Sequence, residues 1–384
     1  MARKKIPAPA ADTAEALSTT EEKIFYASQW RLMWWKFRKH KVAVIAGFVI
    51  ALMYLGAIFA PFIAPYGPTH RDRGNIYVPP QKIRFWDENG FSLRPFIHPL
   101  KVTTDWETFQ KVYTEDTSRR IYIRFFVRGK SNDDQYKLFG LFKSNIHLFG
   151  VDEGYIHLFG TDDLGRDVFS RVMYGGQISM SIGLAGVFLS LILGLILGGI
   201  SGYYGGVVDN IIQRLIEVIR SFPQIPLWMA LSAAIPPDIS PKLVYFGITI
   251  ILSFIGWTAL GRQIRSKVLA LKNEDFIVAA RLAGTSEPKI ILTHLIPSFM
   301  SHVIASLTLS IPSMILAETS LSFLGIGLRA PVVSWGVMLQ QAQNVHTISM
   351  APWLLIPGVF VIIYVLAFNF LGDGLRDAAD PYGN

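Results

Sequence analysis

The stretch DFIVAARLAGTSEPKIILTHLIP, Asp275–Pro297, stands between two runs apolar enough to lie in a membrane, one at Leu243–Leu260 and one from about Ile296 to Leu316. It carries Asp275, Arg281, Glu287 and Lys289, the adjacent Ala279 and Ala280, Gly284 and the late Pro297. Asn273 is placed to cap a helix running through Phe276, Ile277, Ala280 and Ala283, and Gly284 to end it. Ser286 is placed to cap a second helix with Pro288 in its first turn, where a missing N–H loses no bond. Ala279 and Ala283 are four apart, as are Ala280 and Gly284, so small residues share adjoining faces and let a partner surface approach the backbone. Two short helices meeting at a glycine make a knob that fits a groove on a soluble protein. An ordinary amphipathic surface loop fits the same spacing equally well.

Working outward, the chain of 384 residues is 51% hydrophobic and 17% charged, with mean hydropathy +0.37. Soluble domains carry about 25% charged residues. The apolar residues are gathered into runs, as in a polytopic membrane protein. The first is VAVIAGFVIALMYLGAIFAPFIAP, Val42–Pro65. Others lie at about Ile178–Ile200, Phe222–Ile235, Leu243–Leu260, Ile296–Leu316 and Trp353–Leu371. The third is short, but DNIIQRLIEVIR ahead of it is able to extend the same helix. The expectation is six transmembrane helices in an all-α polytopic fold. Gly194, Gly198 and Gly202 form a small-residue stripe for close helix packing. About 40 mostly polar residues precede the first run, so it reads as a retained span rather than a cleaved signal.

Orientation follows from the short loops. Residues 261–295 hold Arg262, Arg265, Lys267, Lys272, Arg281 and Lys289, while the two short loops on the other side hold little more than Lys242 and Arg329. That bias places both termini in the cytoplasm. Residues 1–41 are then a cytoplasmic segment, whose WRLMWWKFRKHK mixes Trp30, Trp34 and Trp35 with cations, as an interfacial helix does. The net charge of +8 sits largely beside spans and needs no nucleic acid to explain it. Residues 66–160 are polar, rich in aromatics, and include the strand-like RRIYIRFFVRG. They read as an inserted extracytoplasmic domain with some β structure.

Cysteine is absent, which removes disulfides, thiolate catalysis and Cys-ligated zinc. The single GKS, Gly129–Ser131, has Arg124 where a P-loop needs glycine, so no nucleotide loop is read. The histidines lack metal spacing, and His147 and His157 read as structural. In FGTDDLGRDVFSRVMYGGQIS, Phe159–Ser179, Thr161 reads as a helix cap with Asp162 and Asp163 at the positive end. Arg166, Asp167 and Arg171 follow on that helix, with Asp167 and Arg171 spaced to pair. Glu318, at the outer end of the fifth span, is the main candidate for an intramembrane ionisable site, and span interiors otherwise hold almost no charge.

AARLAG with HLIP ten residues later resembles the EAA loop of permease subunits of bacterial ABC importers. GTDDLGRDVFSR, Glu318–Gly327 (ETSLSFLGIG) and Asn369–Pro381 (NFLGDGLRDAADP) resemble segments of the peptide/nickel-type permeases, in particular the second permease of oligopeptide or dipeptide systems. The match covers about residues 30–65 and 159–384. Val278 stands where the family often has Glu, Ile296 where it often has Leu, and the region 66–160 is longer than the usual first outer loop. The resemblance implies the type I ABC importer permease fold, with a core at 161–384 and a coupling loop at 273–297. It implies that Phe276, Ala279, Ala280, Arg281, Gly284 and Pro297 serve ATPase coupling, and that Thr161, Asp162, Gly165, Arg166, Asp167 and Arg171 form an outer signature helix. No cofactor is expected in this chain, ATP and Mg being bound by partners. Those partners are a homologous second permease subunit, two ATPase subunits and an extracytoplasmic solute-binding protein, in the bacterial inner membrane. The implied solute is oligopeptide, with oligosaccharides or another small solute as the alternative and an ion-coupled secondary transporter as a third reading.

Overall fold

The computed structural model describes residues 29–379, apart from residues 73, 105, 107–110, 130, 132–133, 139–140 and 237. Residues 1–28 of the expected cytoplasmic segment, the side chain of Trp30, Lys130 of the GKS and Pro381 of the last motif lie outside the described residues. Helix α1 (Gln29–Lys39) carries basic residues in its last turn and stacks Arg31 over Trp35 at 5.0 Å. His40 then caps α2 (Lys41–Ile58), its Nδ1 accepting the Ala43 N–H at 3.1 Å. The first run breaks at Phe59, and α3 (Ala60–Ile63) follows with Pro61 in its first turn.

Strands fill the next region: β1 (Arg84–Asp87), β2 (Gly90–Ile97), β3 (Leu100–Thr104), β4 (Lys111–Glu115), β5 (Ile121–Arg128), β6 (Tyr136–Leu138), β7 (Phe142–Ser144) and β8 (Ile146–Val151). β1, β2, β5 and β8 form an antiparallel sheet in that order, and β3–β4 and β6–β7 are hairpins. Tyr66, Ile97, Ile123, Val151 and Ile156 make a small core beneath the sheet. The sequence IHLFG occurs twice in this region: Ile146–Gly150 is in β8 and Ile156–Gly160 is not a strand.

The second run is the centre of a longer helix, α4 (Val168–Tyr204), of 37 residues. At 1.5 Å per residue it is about 55 Å long, well beyond the hydrocarbon. α5 (Gly206–Ser221) and α6 (Gln224–Ala233) follow, then α7 (Pro241–Leu271). Among the described residues no single helix makes the third span expected from the sequence. Phe222 and Pro223 are extended, with ψ of 141° and 131°. Phe222 is driven out of the α region by the proline that follows it. The remaining elements are α8 (Asp275–Leu282), α9 (Glu287–Lys289), a π-helical turn at Ile290–Leu295, α10 (Ile296–Ser298), α11 (Met300–Phe323), α12 (Trp335–Gln340), α13 (Val345–Met350) and α14 (Ile356–Ala379). Among the described residues five helices are long and apolar enough to span a membrane: α2, α4, α7, α11 and α14, the last with the turn ahead of it.

α4 and α7 run parallel. Ser181 meets Tyr245, Gly186 meets Ser253, Gly198 meets Gly261 and Gly202 meets Val268, so partner numbers rise together. The intervening chain must therefore return along their length. It starts with Asp209 bound to Arg265 and ends with Ile235 against Gly247. The return is made by the broken pair α5–α6, whose Ile212, Ile216 and Ile219 pack with Ile255 and Trp257 of α7. The glycine stripe is what brings α4 onto α7. A Cβ at Gly198 would lie 2.4 Å from the Gly261 carbonyl oxygen.

Candidate functional site

Two constructions stand at opposite ends of α4. At its C-terminal end, α8 is N-capped by Glu274 rather than Asn273, without a side-chain bond. Gly284 turns the chain with φ +76°, a conformation that side chains resist. Ile277 is fully buried with Ile264 and Val268 of α7 and with Ile290 and Leu295 beyond the turn, and Ala280 packs half-buried against the same cluster. Ala279, Ala283, Gly284 and Pro297 are exposed, with Phe276 at 45% and Leu282 at 84%. Arg281 lies over the Tyr203 ring at 5.9 Å. Of the residues expected to act together here, Ala280 thus turns toward its own chain, while Phe276, Ala279 and Gly284 stay free. Leu282, which sequence reading did not single out, is the most exposed apolar side chain of the helix. Its isolation shows only once the helix face is known.

The platform beneath α8 is tied by groups far apart in sequence. Arg265 Nε donates to Asp209 Oδ1 at 2.5 Å, its guanidinium reaches Oδ2 as well, and Ser201 donates to Oδ1 at 2.5 Å. Lys272 Nζ donates to the Gly202 carbonyl at 3.3 Å and reaches that of Tyr203. A bidentate pair of this kind fixes orientation as well as distance. No local spacing pointed to it.

At the N-terminal end of α4, the GTDDLGRD motif folds as a clasp before the helix, not as the helix itself. The cap is Asp167, whose Oδ2 accepts the Ser170 N–H and hydroxyl, each at 2.7 Å. Thr161 instead accepts Val78 N–H at 2.8 Å and donates to the Asn75 carbonyl at 2.7 Å. The expected Asp167–Arg171 pair does not form. Asp167 Oδ1 binds His157 Nδ1 at 3.0 Å, and Arg171 binds the buried Asp162, which also takes Arg166 Nε at 2.7 Å. The Asp162–Arg166 loop is closed by two further N–H bonds to Asp162 Oδ1. Gly165 has φ +70°, and a Cβ there would overlap the Asp72 carbonyl, so the clasp grips residues 72–78. Trp353 Nε1 donates to the Thr161 carbonyl at 2.9 Å and Gln341 to Asp163, drawing in the connection between α11 and α14. His147 and His157 are buried in hydrogen bonds, and no metal-like cluster occurs among the described residues.

Glu318 is fully buried in α11 and is wholly taken up by hydroxyls: Ser322 and Ser334 at 2.9 Å and Ser179 at 3.2 Å. Those serines in turn accept N–H groups of Leu328, Val337 and Trp335. This is a tie between α4, α11 and α12. Elsewhere in the span region a cavity of about 560 Å³ is lined by Ser190, Gln224, Trp228, Gln263, Ser306, Ser310 and Arg376 among others. It opens between α4, α5, α6, α7, α11 and α14; its lining is apolar in large part, with hydroxyls, amides, Arg220, His302 and Arg376 but no carboxylate.

The bundle thus carries a short, largely exposed helix at one end of α4 and a clasp at the other. Residues 190–382 match the family described as binding-protein-dependent transport system inner membrane component, and the chain belongs to it. Residues 28–80 match the N-terminal TM domain of oligopeptide transport permease C. The dipeptide transport system permease protein DppC of Alkalihalophilus pseudofirmus is 41% identical over 220 residues, 57% of this chain and 70% of that protein. The oligopeptide transport system permease protein OppC of Salmonella typhimurium is 40% identical over 223 residues, 56% of this chain and 70% of that protein. One solved structure, the inward facing MetNI methionine ABC transporter, aligns with a TM-score of 0.44 at 15% identity over 55% of this chain and 96% of that one. The family expected from AARLAG and GTDDLGRD is the family found.

Proposed function

We propose that this chain is one of two membrane subunits of an ATP-driven importer that carries peptides across a bacterial inner membrane. The observation that supports it most is the similarity to dipeptide and oligopeptide permeases at 40–41% identity over 70% of their length. The fold is read as the type I importer permease fold with six crossings, the third made by α5 and α6 together. α8 lies in the cytoplasm with both termini, and the strands of residues 84–151 lie outside, toward the solute-binding protein. The other membrane subunit is a homologue. ATP and Mg belong to two ATPase subunits, each with a groove for a helix such as α8.

The geometry supports a coupling step. Phe276, Ala279 and Leu282 face out for docking, while Ile277 and Ala280 are locked to α7 and the turn beyond Gly284. The Asp209–Arg265 pair and the glycine stripe hold α4, α5 and α7 together at that end. ATPase closure then moves a rigid unit rather than bending one helix, and the spans rock between inward- and outward-facing states. A polar solute passes through the cavity beside α11, where hydroxyls, amides, Arg220, His302 and Arg376 supply the polar groups. The test is uptake: cells lacking the chain should lose import of labelled tri- to pentapeptides and regain it with the gene. Restored oligosaccharide uptake without peptide uptake would replace the solute assigned here.

A further inference from the structure

The strands between α3 and α4 contain a split. β2 pairs with β5 at only two positions, Phe96 with Tyr122 and Ile97 with Ile121. Continuing that register would set Arg94 opposite Arg124, and like charges directly opposed on neighbouring strands are unfavourable. β2 escapes by bulging. Against β1 its register jumps between the Arg84–Phe96 and Trp86–Phe91 pairs, so Ser92–Pro95 swing out of the ladder. β5 meanwhile pairs with β8 at Ile123, Arg124, Phe125, Val127 and Arg128, with Phe126 alone out of the ladder at φ +57°. Gly129 N–H, in the same register, donates to the Asn145 carbonyl at 2.8 Å. The register is the same before Phe126 (Phe125 with Phe149) and after it (Val127 with His147), so by the two-residue period Ile123, Phe125 and Val127 spend their backbone groups on β8, and Arg124 turns its N–H and C=O toward the gap. A groove of about 800 Å³ lies there, lined by Leu93, Arg94, Tyr122, Arg124, Phe125 and Asp152 among others.

We infer that this groove binds an extended peptide, which adds as a short strand beside β5; the inference rests on the peptide-transport reading above. Main-chain bonds from Arg124 recognise a peptide backbone whatever its side chains, as strand addition does elsewhere. Charge fits a zwitterionic ligand. Arg94 is exposed and has no ion pair among the described residues, so it is free for a carboxylate. Asp152 and Glu153 are held only by exposed pairs, with Arg124 at 2.8 Å and Arg119 at 3.7 Å, which exchange readily for an ammonium. Leu93 at 85% and Phe125 at 61% exposure flank the groove as apolar rests for side chains.

The experiment uses the full chain in lipid nanodiscs and calorimetry with penta-alanine bearing free termini. Binding is expected, to be abolished by N-methylation of alternate residues and weakened about tenfold by Arg94→Ala, the loss of one charge-assisted hydrogen bond. Arg94 is a surface residue, so the variant should fold. Equal binding of the parent and N-methylated peptides, or no binding of either, overturns the groove. Peptide uptake by cells separates the two readings: uptake that persists without groove binding leaves the transport assignment standing, and absence of peptide uptake overturns both.

Discussion

At the scale of single residues, the clasp before α4 is where a change of one charge has the largest effect. Asp162 and Arg171 are both nearly excluded from solvent, with side chains 1% and 3% exposed. Asp162→Asn leaves the guanidinium buried without its counter-charge, at a loss of about 3–5 kcal/mol. The chain should then fail to accumulate in membranes, by immunoblot. Asp163→Asn, at a side chain 45% exposed, should change stability by less than about 0.5 kcal/mol. Equal accumulation of the two variants would show that Asp162 is not the hub. A second carboxylate has a readable pH dependence. Burial works to raise the Asp134 pKa, but bonds from His70 and from the Gly67 and Ser131 N–H groups outweigh it and hold it below the usual value. The folded chain thus binds that proton less tightly than the unfolded one. Its contribution is full above the ordinary aspartate value of about 4 and is lost as pH falls through the lower folded value. Tryptophan fluorescence of Asp134→Asn should differ from the parent at pH 7 and converge with it in strong acid. A difference that stays constant across that range would contradict the account. The motif was legible as a motif, but its bonding was not. Asp162–Arg171 and Asp167–His157 join residues through a loop, and the helical spacing of Asp167 and Arg171 misdirected the pairing because the helix begins only at Val168.

At the scale of elements, the glycine stripe gives a graded test. A methyl at Gly198 meets a backbone carbonyl at 2.4 Å, which is unable to yield, whereas at Gly194 the nearest atom is Leu260 Cβ at 3.1 Å. Gly198→Ala should lower stability by about 1–3 kcal/mol and Gly194→Ala by clearly less, measured as thermal unfolding in detergent. Reversal of that order would mean α4 and α7 do not meet at Gly261. α8 offers a sharper pair. Leu282 is 84% exposed, so Leu282→Glu should leave folding intact while cutting solute-stimulated ATP hydrolysis by the assembled complex. Ala280→Glu should instead weaken the chain itself, since Ala280 packs on its own core. Wild-type hydrolysis with Leu282→Glu would make α8 a mere connector. The long helices were legible because apolar runs of that length have few other solutions. The third span was not, since hydropathy is blind to the extended Phe222–Pro223 that splits it. The Asp209–Arg265 tie was equally hidden, since only tertiary structure brings the two together.

At the scale of the whole molecule, parallel packing of α4 and α7 makes topology a single linked question. Both helices run from the end carrying the strands to the end carrying α8, so residues 205–240 must cross back between them. The proposed topology, drawn from the cations at 261–295, has the α8 end in the cytoplasm. On that proposal the strands of residues 84–151 lie outside, and so does the turn at Asp238 before α7. The chain has no cysteine, so single introduced thiols report without background. Lys143→Cys, Asp238→Cys and Leu282→Cys all sit at exposed positions. An impermeant maleimide applied to spheroplasts should label the first two at once and Leu282→Cys only after lysis. Labelling of Leu282→Cys alone in intact spheroplasts would invert the orientation. Labelling of Asp238→Cys only after lysis, together with Leu282→Cys, would mean that α5 and α6 turn back without crossing. That outcome is incompatible with Ser181 meeting Tyr245 while Gly202 meets Val268, so it would overturn the parallel packing on which the coupling unit depends.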